Sequence, residues 1–337
     1  MRRHPHPGRC AVALAAGLTG SGLAAQQFVR TAHPQDTLQN NSGNLSPLGV
    51  FATGQAAEAR SQILFRPLEL PAPGAQLAAI EVHAQGTSTL LYSSLVVRVS
   101  PTLAGALVPV FAANLPAPVT VLQAQNLTVP YSAAGWTTIP MTTPFAYVHD
   151  GQSALVLEIT KVISPNTIAA TVMDTPSPPS RTDRPPMVYA FGGIGSGASN
   201  SLLATASGDP LAVRLVWTGV PTMSHRSDPG PSGNQYALGS TITYTVEGEP
   251  GSFYITTIDT ALLPVPLQLP GISGLVYAFS GFTNFGSLDA GGRAVNTVTI
   301  PPLQTFVGLY VVYQAGVLNA VTGVGQLTNA HDHFVNP

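Results

Sequence analysis

The chain has 337 residues, of which 45% are hydrophobic and only 8% charged. Soluble domains carry about 25% charged residues, so uncharged polar groups must make up most of this surface. Thirteen basic against fifteen acidic residues supply no cationic field for phosphates, which excludes nucleic-acid binding. The single cysteine, Cys10, excludes disulfide scaffolds and thiolate metal sites.

The N-terminus reads as a secretory signal. Arg2, Arg3 and Arg9 form a positive region, residues 11–25 are an apolar run of alanine and leucine, and the small residues Ala24 and Ala25 mark the expected cleavage. The run is too short, and too broken by Gly17, Gly20 and Gly22, for the roughly 20 residues that cross a bilayer. No later stretch qualifies, so no transmembrane segment is expected after cleavage. The expected location is therefore secreted or envelope-associated, extracellular or periplasmic. Loss of the leader leaves 10 basic against 15 acidic residues and no thiol. With so few charges of either sign, colloidal repulsion is weak and the chain is expected to self-associate or adhere.

Past the leader the punctuation is all-β. Residues 53–61, rich in alanine, give the one helical turn the pattern suggests. Alternating apolar runs then follow at 79–83, 92–100, 119–129, 136–141, 154–161, 187–191 and 211–218, separated by Pro, Gly, Ser or Asn. Residues 219–234 (GVPTMSHRSDPGPSGN) lack such alternation and read as a linker. Strand patterns resume at 241–247, 252–258, 274–280, 294–300, 307–314 and 325–329. The expected organisation is a signal peptide at 1–25, a jelly-roll-like β-sandwich at 26–219, a linker at 220–234 and a small immunoglobulin-like β-sandwich at 235–337.

In four runs a single charge interrupts the apolar residues: Glu81 in AIEVH, Arg98 in LVVRV, Glu158 in LVLEI and Arg214 in LAVRLVW. Strand alternation places these charges opposite the buried face. They are expected to pair, arginine against glutamate, on the outer side of one sheet.

The segment 135–159, with its Gly-Trp, Pro-Phe-x-Tyr and Leu-Val-x-Glu-Ile, resembles secreted bacterial jelly-roll-type domains, as does the stretch 60–70. The later segments EPGSFYI, SLDAGGRAVNTVTIP, LYVVYQA and LTNA resemble a small β-domain of exported proteins. Together they give a resemblance, over most of residues 40–330, to secreted two-domain all-β proteins of environmental bacteria. It implies a fold and leaves activity open.

Candidate chemistry is sparse. Trp136, Phe145 and Tyr147 can be read as a sugar platform or as core, and core is the simpler reading. Asp150-Gly151 and Asp289 suit tight turns without any ion. Glu81 and Glu158 are the strand-borne acids a glycosidase would need as a pair, but arginine neighbours would hold both ionised, the wrong state for a general acid. His331 and His333 flank Asp332 near the C-terminus and read as a solvated tail. His225 falls in the linker, and no zinc-binding spacing occurs. Gly193, Gly195 and Ala198 match G-x-G-x-x-A without the long helix a dinucleotide cradle requires. The expectation is therefore no catalytic residue, metal or cofactor. The protein reads as an exported, non-catalytic interaction or structural protein whose partner is an extracellular protein, matrix or glycan. A glycan-binding module is the alternative, and a carbohydrate-active enzyme a more remote one.

Overall fold

The computed structural model describes residues 27–31, 38–44, 48–50, 52–132, 136–148, 150–167, 173–176, 187–207, 213–228 and 236–337. These form an all-β protein, and the longest helical segment among them is the single 3-10 turn Phe111–Asn114. No helix of the described residues is long and apolar enough to cross a membrane. The expected cleavage residues Ala24 and Ala25 lie outside the described residues.

Two sheets enclose the larger core. One has four strands in the order Gln27–Thr31, Val213–Thr218, Gln76–His83 and Trp136–Ala146. The other runs Thr205–Ser207, Met187–Gly192, Glu58–Phe65, Ala154–Ile163, Ser88–Thr102 and Val119–Ala124, with Leu127–Tyr131 also pairing with Ser88–Thr102. Their facing side chains, among them Phe65, Ile80, Val97, Leu157 and Trp217, are buried as one cluster. A second pair of sheets encloses a smaller core. Its three-stranded sheet is Thr222–Asp228, Thr241–Glu247 and Arg293–Thr299; its five-stranded sheet is Ile272–Ser273, Gly325–Phe334, Tyr310–Leu318, Phe253–Asp259 and Gly281–Ser287. All strand pairings are antiparallel apart from the short Ile272–Ser273 pairing with Gly325–Gln326.

Several expectations need correction. The helical turn expected at 53–61 is instead non-helical turns through residue 57 followed by the start of the strand Glu58–Phe65, which lies between Met187–Gly192 and Ala154–Ile163. Alanine's helix propensity yields here to pairing on both sides and to burial of Ala59, Ile63 and Phe65. The run 119–129 is two strands, broken where Asn126 takes a left-handed conformation (φ 56°). In the expected linker, Thr222–Asp228 is a full strand, in register with Thr241–Glu247. Its Met223 and His225 point into the second core, so a histidine that reads as polar in the sequence supplies half of the inward alternation. The side chain of Asn329 fixes this strand's entry by accepting from the Met223 N–H at 2.8 Å and donating to its carbonyl at 2.9 Å. The run 274–280 holds only the two-residue strand Leu275–Val276, whereas Gly281–Ser287, which lacks clean alternation, is a strand.

The sheets around the two cores meet along a mixed seam. Leu68 packs against Tyr277, Ala278, Val312 and Ala330 on the outer face of the five-stranded sheet. Beside it, Arg66 grips Asp332 with both terminal nitrogens, at 2.6 and 3.0 Å, and also reaches Glu69 at 3.2 Å. Tyr310 Oη donates to the same Asp332 carboxylate at 2.7 Å.

Candidate functional site

The four strand charges do form arginine–glutamate pairs, but on two sheets. Arg214 stands opposite Glu81 in the four-stranded sheet with 3.9 Å between them, and Arg98 opposite Glu158 in the seven-stranded sheet at 2.8 Å. The single sheet expected from sequence is therefore corrected to two, one on either side of the core. Glu81 and Glu158 cannot flank one substrate in this arrangement. Glu158 is fully buried and also accepts from Arg60 Nε and Gln62 Nε2, each at 2.8 Å. A loop through Phe111 and Asn114 roofs this network: Gln62 donates to the Phe111 carbonyl, Asn114 donates to Gln62, and the Arg60 guanidinium lies 4.5 Å from the Phe111 ring centre.

The glycine loop that resembled a phosphate cradle holds a carboxylate of its own chain. The N–H groups of Gly195 and Gly197 donate to Glu58 at 2.6 and 2.8 Å. Both glycines have positive φ, the arrangement that turns consecutive amides toward one anion.

Of the three candidate platform aromatics, Tyr147 is core and Phe145 packs against it, but Trp136 is not core. It lies half-buried on the outer face, with Arg214 stacked 3.7 Å above its ring and His83 edge-on at 5.6 Å. Asp150 accepts from the N–H groups of Gln152 and Ser153, and Asp289 from those of Gly291 and Arg293, so both organise turns.

The histidines expected in a tail and a linker are buried. His331 and His333 alternate on Gly325–Phe334 and face inward, while Asp332 faces outward to Arg66. His225 stacks on His331 with 4.3 Å between ring centres, and His333 stacks on Tyr236 at 4.4 Å. His331 Nε2 lies 2.7 Å from the Met223 carbonyl, so that nitrogen is the donor. Among the described residues no group of three His, Cys, Asp or Glu is arranged to hold a metal. Another buried base, Lys161, points into the first core and donates to the Gly49 carbonyl; burial pushes its pKa well below the ordinary value.

What opens to solvent is apolar. On the outer face of the five-stranded sheet, beyond the seam, a groove of about 410 Å³ lies between the sheet and the loop 260–280. Phe253, Ile255, Gly316 and Leu318 belong to its floor, Ile272 and Val276 to its wall. Alternation explains the floor: Tyr254, Tyr313, Ala315 and Val317 join the second core, so their neighbours in sequence face outward. The wall is held in place from below. Gln314 accepts from the Tyr277 N–H at 2.9 Å and donates to the carbonyls of Leu275 and Thr328 at 2.7 and 2.9 Å. Thr257 Oγ1 lies 3.1 Å from the Ala278 carbonyl. Gly274, at φ 100°, passes between the sandwiches, where a Cβ would stand 3.0 Å from Leu327 and 3.2 Å from Ala72.

Asp259 closes the loop. Its carboxylate accepts from the N–H groups of Thr260, Phe279 and Ser280, and bonding from Ser280 and these amides holds its pKa down to about 2. A depressed carboxylate contributes stability above its unfolded pKa, about 3.9, which is lost as pH falls through the folded value. Asp259→Ala should therefore flatten the acid limb of stability between about pH 4 and pH 2. Denaturant melts across that range check this; an unchanged limb would contradict it.

Sequence reasoning missed the groove. Its one signal was the near absence of charge after residue 259, where only Asp289, Arg293 and Asp332 occur. No protein-family model matches the chain, and no curated protein is similar to it.

Proposed function

We propose that the chain is an exported, non-catalytic binding protein of two β-sandwich domains, the first jelly-roll-like and the second immunoglobulin-like. It acts outside the cell or on the envelope and engages its partner through the groove of the second sandwich. The groove itself carries this reading: its lining holds no ionisable side chain, and Phe253, Phe279 and Leu318 on it are each about half exposed. Such contiguous apolar surface marks interaction sites on soluble proteins. The acids favour the same reading, since Glu58, Glu158, Asp259 and Asp332 each have fixed donors within the fold.

Adsorption of the purified mature chain to isolated cell envelopes tests it. Combining Phe279→Ser with Leu318→Ser should cut adsorption at least fivefold. Both side chains are about half exposed, so stability should change by no more than about 1 kcal/mol. Adsorption indifferent to these changes, retention on cellulose, chitin or xylan, or turnover of chromogenic glycosides would overturn the proposal. Mass spectrometry of the exported chain should give an N-terminus at Ala25 or Gln26.

A further inference from the structure

We infer that the groove takes the alkyl chain of a monomeric, neutral-headed amphiphile, one chain per protein; this rests on the binding role proposed above and names its ligand class. The volume of about 410 Å³ falls within the roughly 300–1,000 Å³ of small-molecule sites.

The chemistry of the lining selects the occupant. Of the polar side chains on the lining, Gln314 and Thr257 direct their hydrogen bonds to the loop backbone and its neighbouring strand, as described, and only Gln326 is placed to meet a polar group of the occupant. A peptide laid in the groove would bury more amide groups than one side chain can satisfy, the rest leaving water without a replacement partner. Methylenes lose nothing by the same transfer and each gains burial. Because Gln314, Thr257 and Asp259 pin the wall, the cavity stays open without an occupant, which lowers the ordering cost of binding. Phe253 and Phe279, about half exposed, sit where the chain would leave the groove for water. The lining holds no ionisable side chain to pair a charged head of either sign, which favours a neutral one, and the Asp259 carboxylate on the Phe279 N–H opposes an anionic one.

Equilibrium dialysis of the mature chain with 1-monoacylglycerols below their micellar concentrations tests this. Binding should saturate at one chain per protein and be insensitive to salt, since no ion pair forms. Affinity should rise about fourfold per added methylene and then level off once the groove is full. Gly316→Leu is the blocking variant. A Cβ there would stand 3.5 Å from Ile255 and 3.6 Å from Leu327, ordinary contacts, so the backbone accepts it while the longer side chain fills the floor. It should weaken binding at least tenfold, Gly316→Ala much less, and Phe285→Ser, exposed and off the lining, not at all. An unfolding midpoint close to that of the unmodified chain confirms that Gly316→Leu folds; if it does not, the levelling of affinity with chain length decides. No saturable binding, no dependence on chain length, or equal binding by folded Gly316→Leu would overturn the inference. If chain binding fails while envelope adsorption still depends on Phe279 and Leu318, only the ligand class falls. A dimer in sedimentation equilibrium abolished by Gly316→Leu, without chain binding, would assign the groove to a second copy and equally overturn it.

Discussion

Glu158→Ala should destabilise the chain by about 3–5 kcal/mol, the usual cost of removing one partner from a buried ion pair. The carboxylate is fully buried and joins Arg60 and Arg98, whose side chains are 14% and 38% exposed. Its removal leaves the Arg60 guanidinium, buried Gln62 and a void beneath the Phe111 roof. Glu158→Gln keeps the shape and one acceptor, so its cost should be smaller, about 1–3 kcal/mol. The register-matched Glu81→Ala should cost only about 1 kcal/mol, because that pair is 3.9 Å long and Arg214 keeps its stacking on Trp136. Denaturant melts of the three variants check the order. Equal losses at Glu81 and Glu158 would show that the roof does not matter.

The second large effect belongs to the seam. Arg66→Ala leaves two carboxylates, Glu69 at 2% and Asp332 at 7% exposure, facing each other's charge without their cation. A loss of about 3–5 kcal/mol is expected, with the two sandwiches melting in separate calorimetric transitions. Arg66→Lys should recover less than half of it, because a single ammonium cannot reproduce the two-nitrogen grip on Asp332. For Asp332 the pH dependence has a definite sign, which the Glu69 carboxyl, pushed up by burial, opposes. Burial pushes the Asp332 carboxyl up, but Arg66 and Tyr310 outweigh it and hold the group below its ordinary value. Its contribution is therefore present above about pH 4 and is lost as pH falls through the lower, folded value. Arg66→Ala should abolish that acid-sensitive component. A single transition that keeps the unmodified acid profile would contradict the assignment.

The all-β class was legible because alternation in runs such as LVLEI and LAVRLVW survives any reading of the loops. That arginine and glutamate pair among the four charges was legible too, since opposite signs recur at equivalent places in the runs. Which arginine meets which glutamate, and on which sheet, was not, because sequence alternation gives a face and not a neighbour. Nor was the burial of Glu158, which depends on a loop some 45 residues away folding over it. Histidine misled twice. His225 reads as linker and His331 and His333 as tail, yet imidazoles stacked on one another and on tyrosine are core residues here. The groove escaped because it arises from the return path of the loop 260–280, set by Gln314, Thr257 and Asp259, residues that look unremarkable in a chain otherwise poor in charge.

The glycine that carries the loop between Leu327 and Ala72 immediately precedes the wall strand Leu275–Val276. A side chain at position 274 would therefore press on the joint and on the groove together, since its Cβ would stand 3.0 Å from Leu327 and 3.2 Å from Ala72.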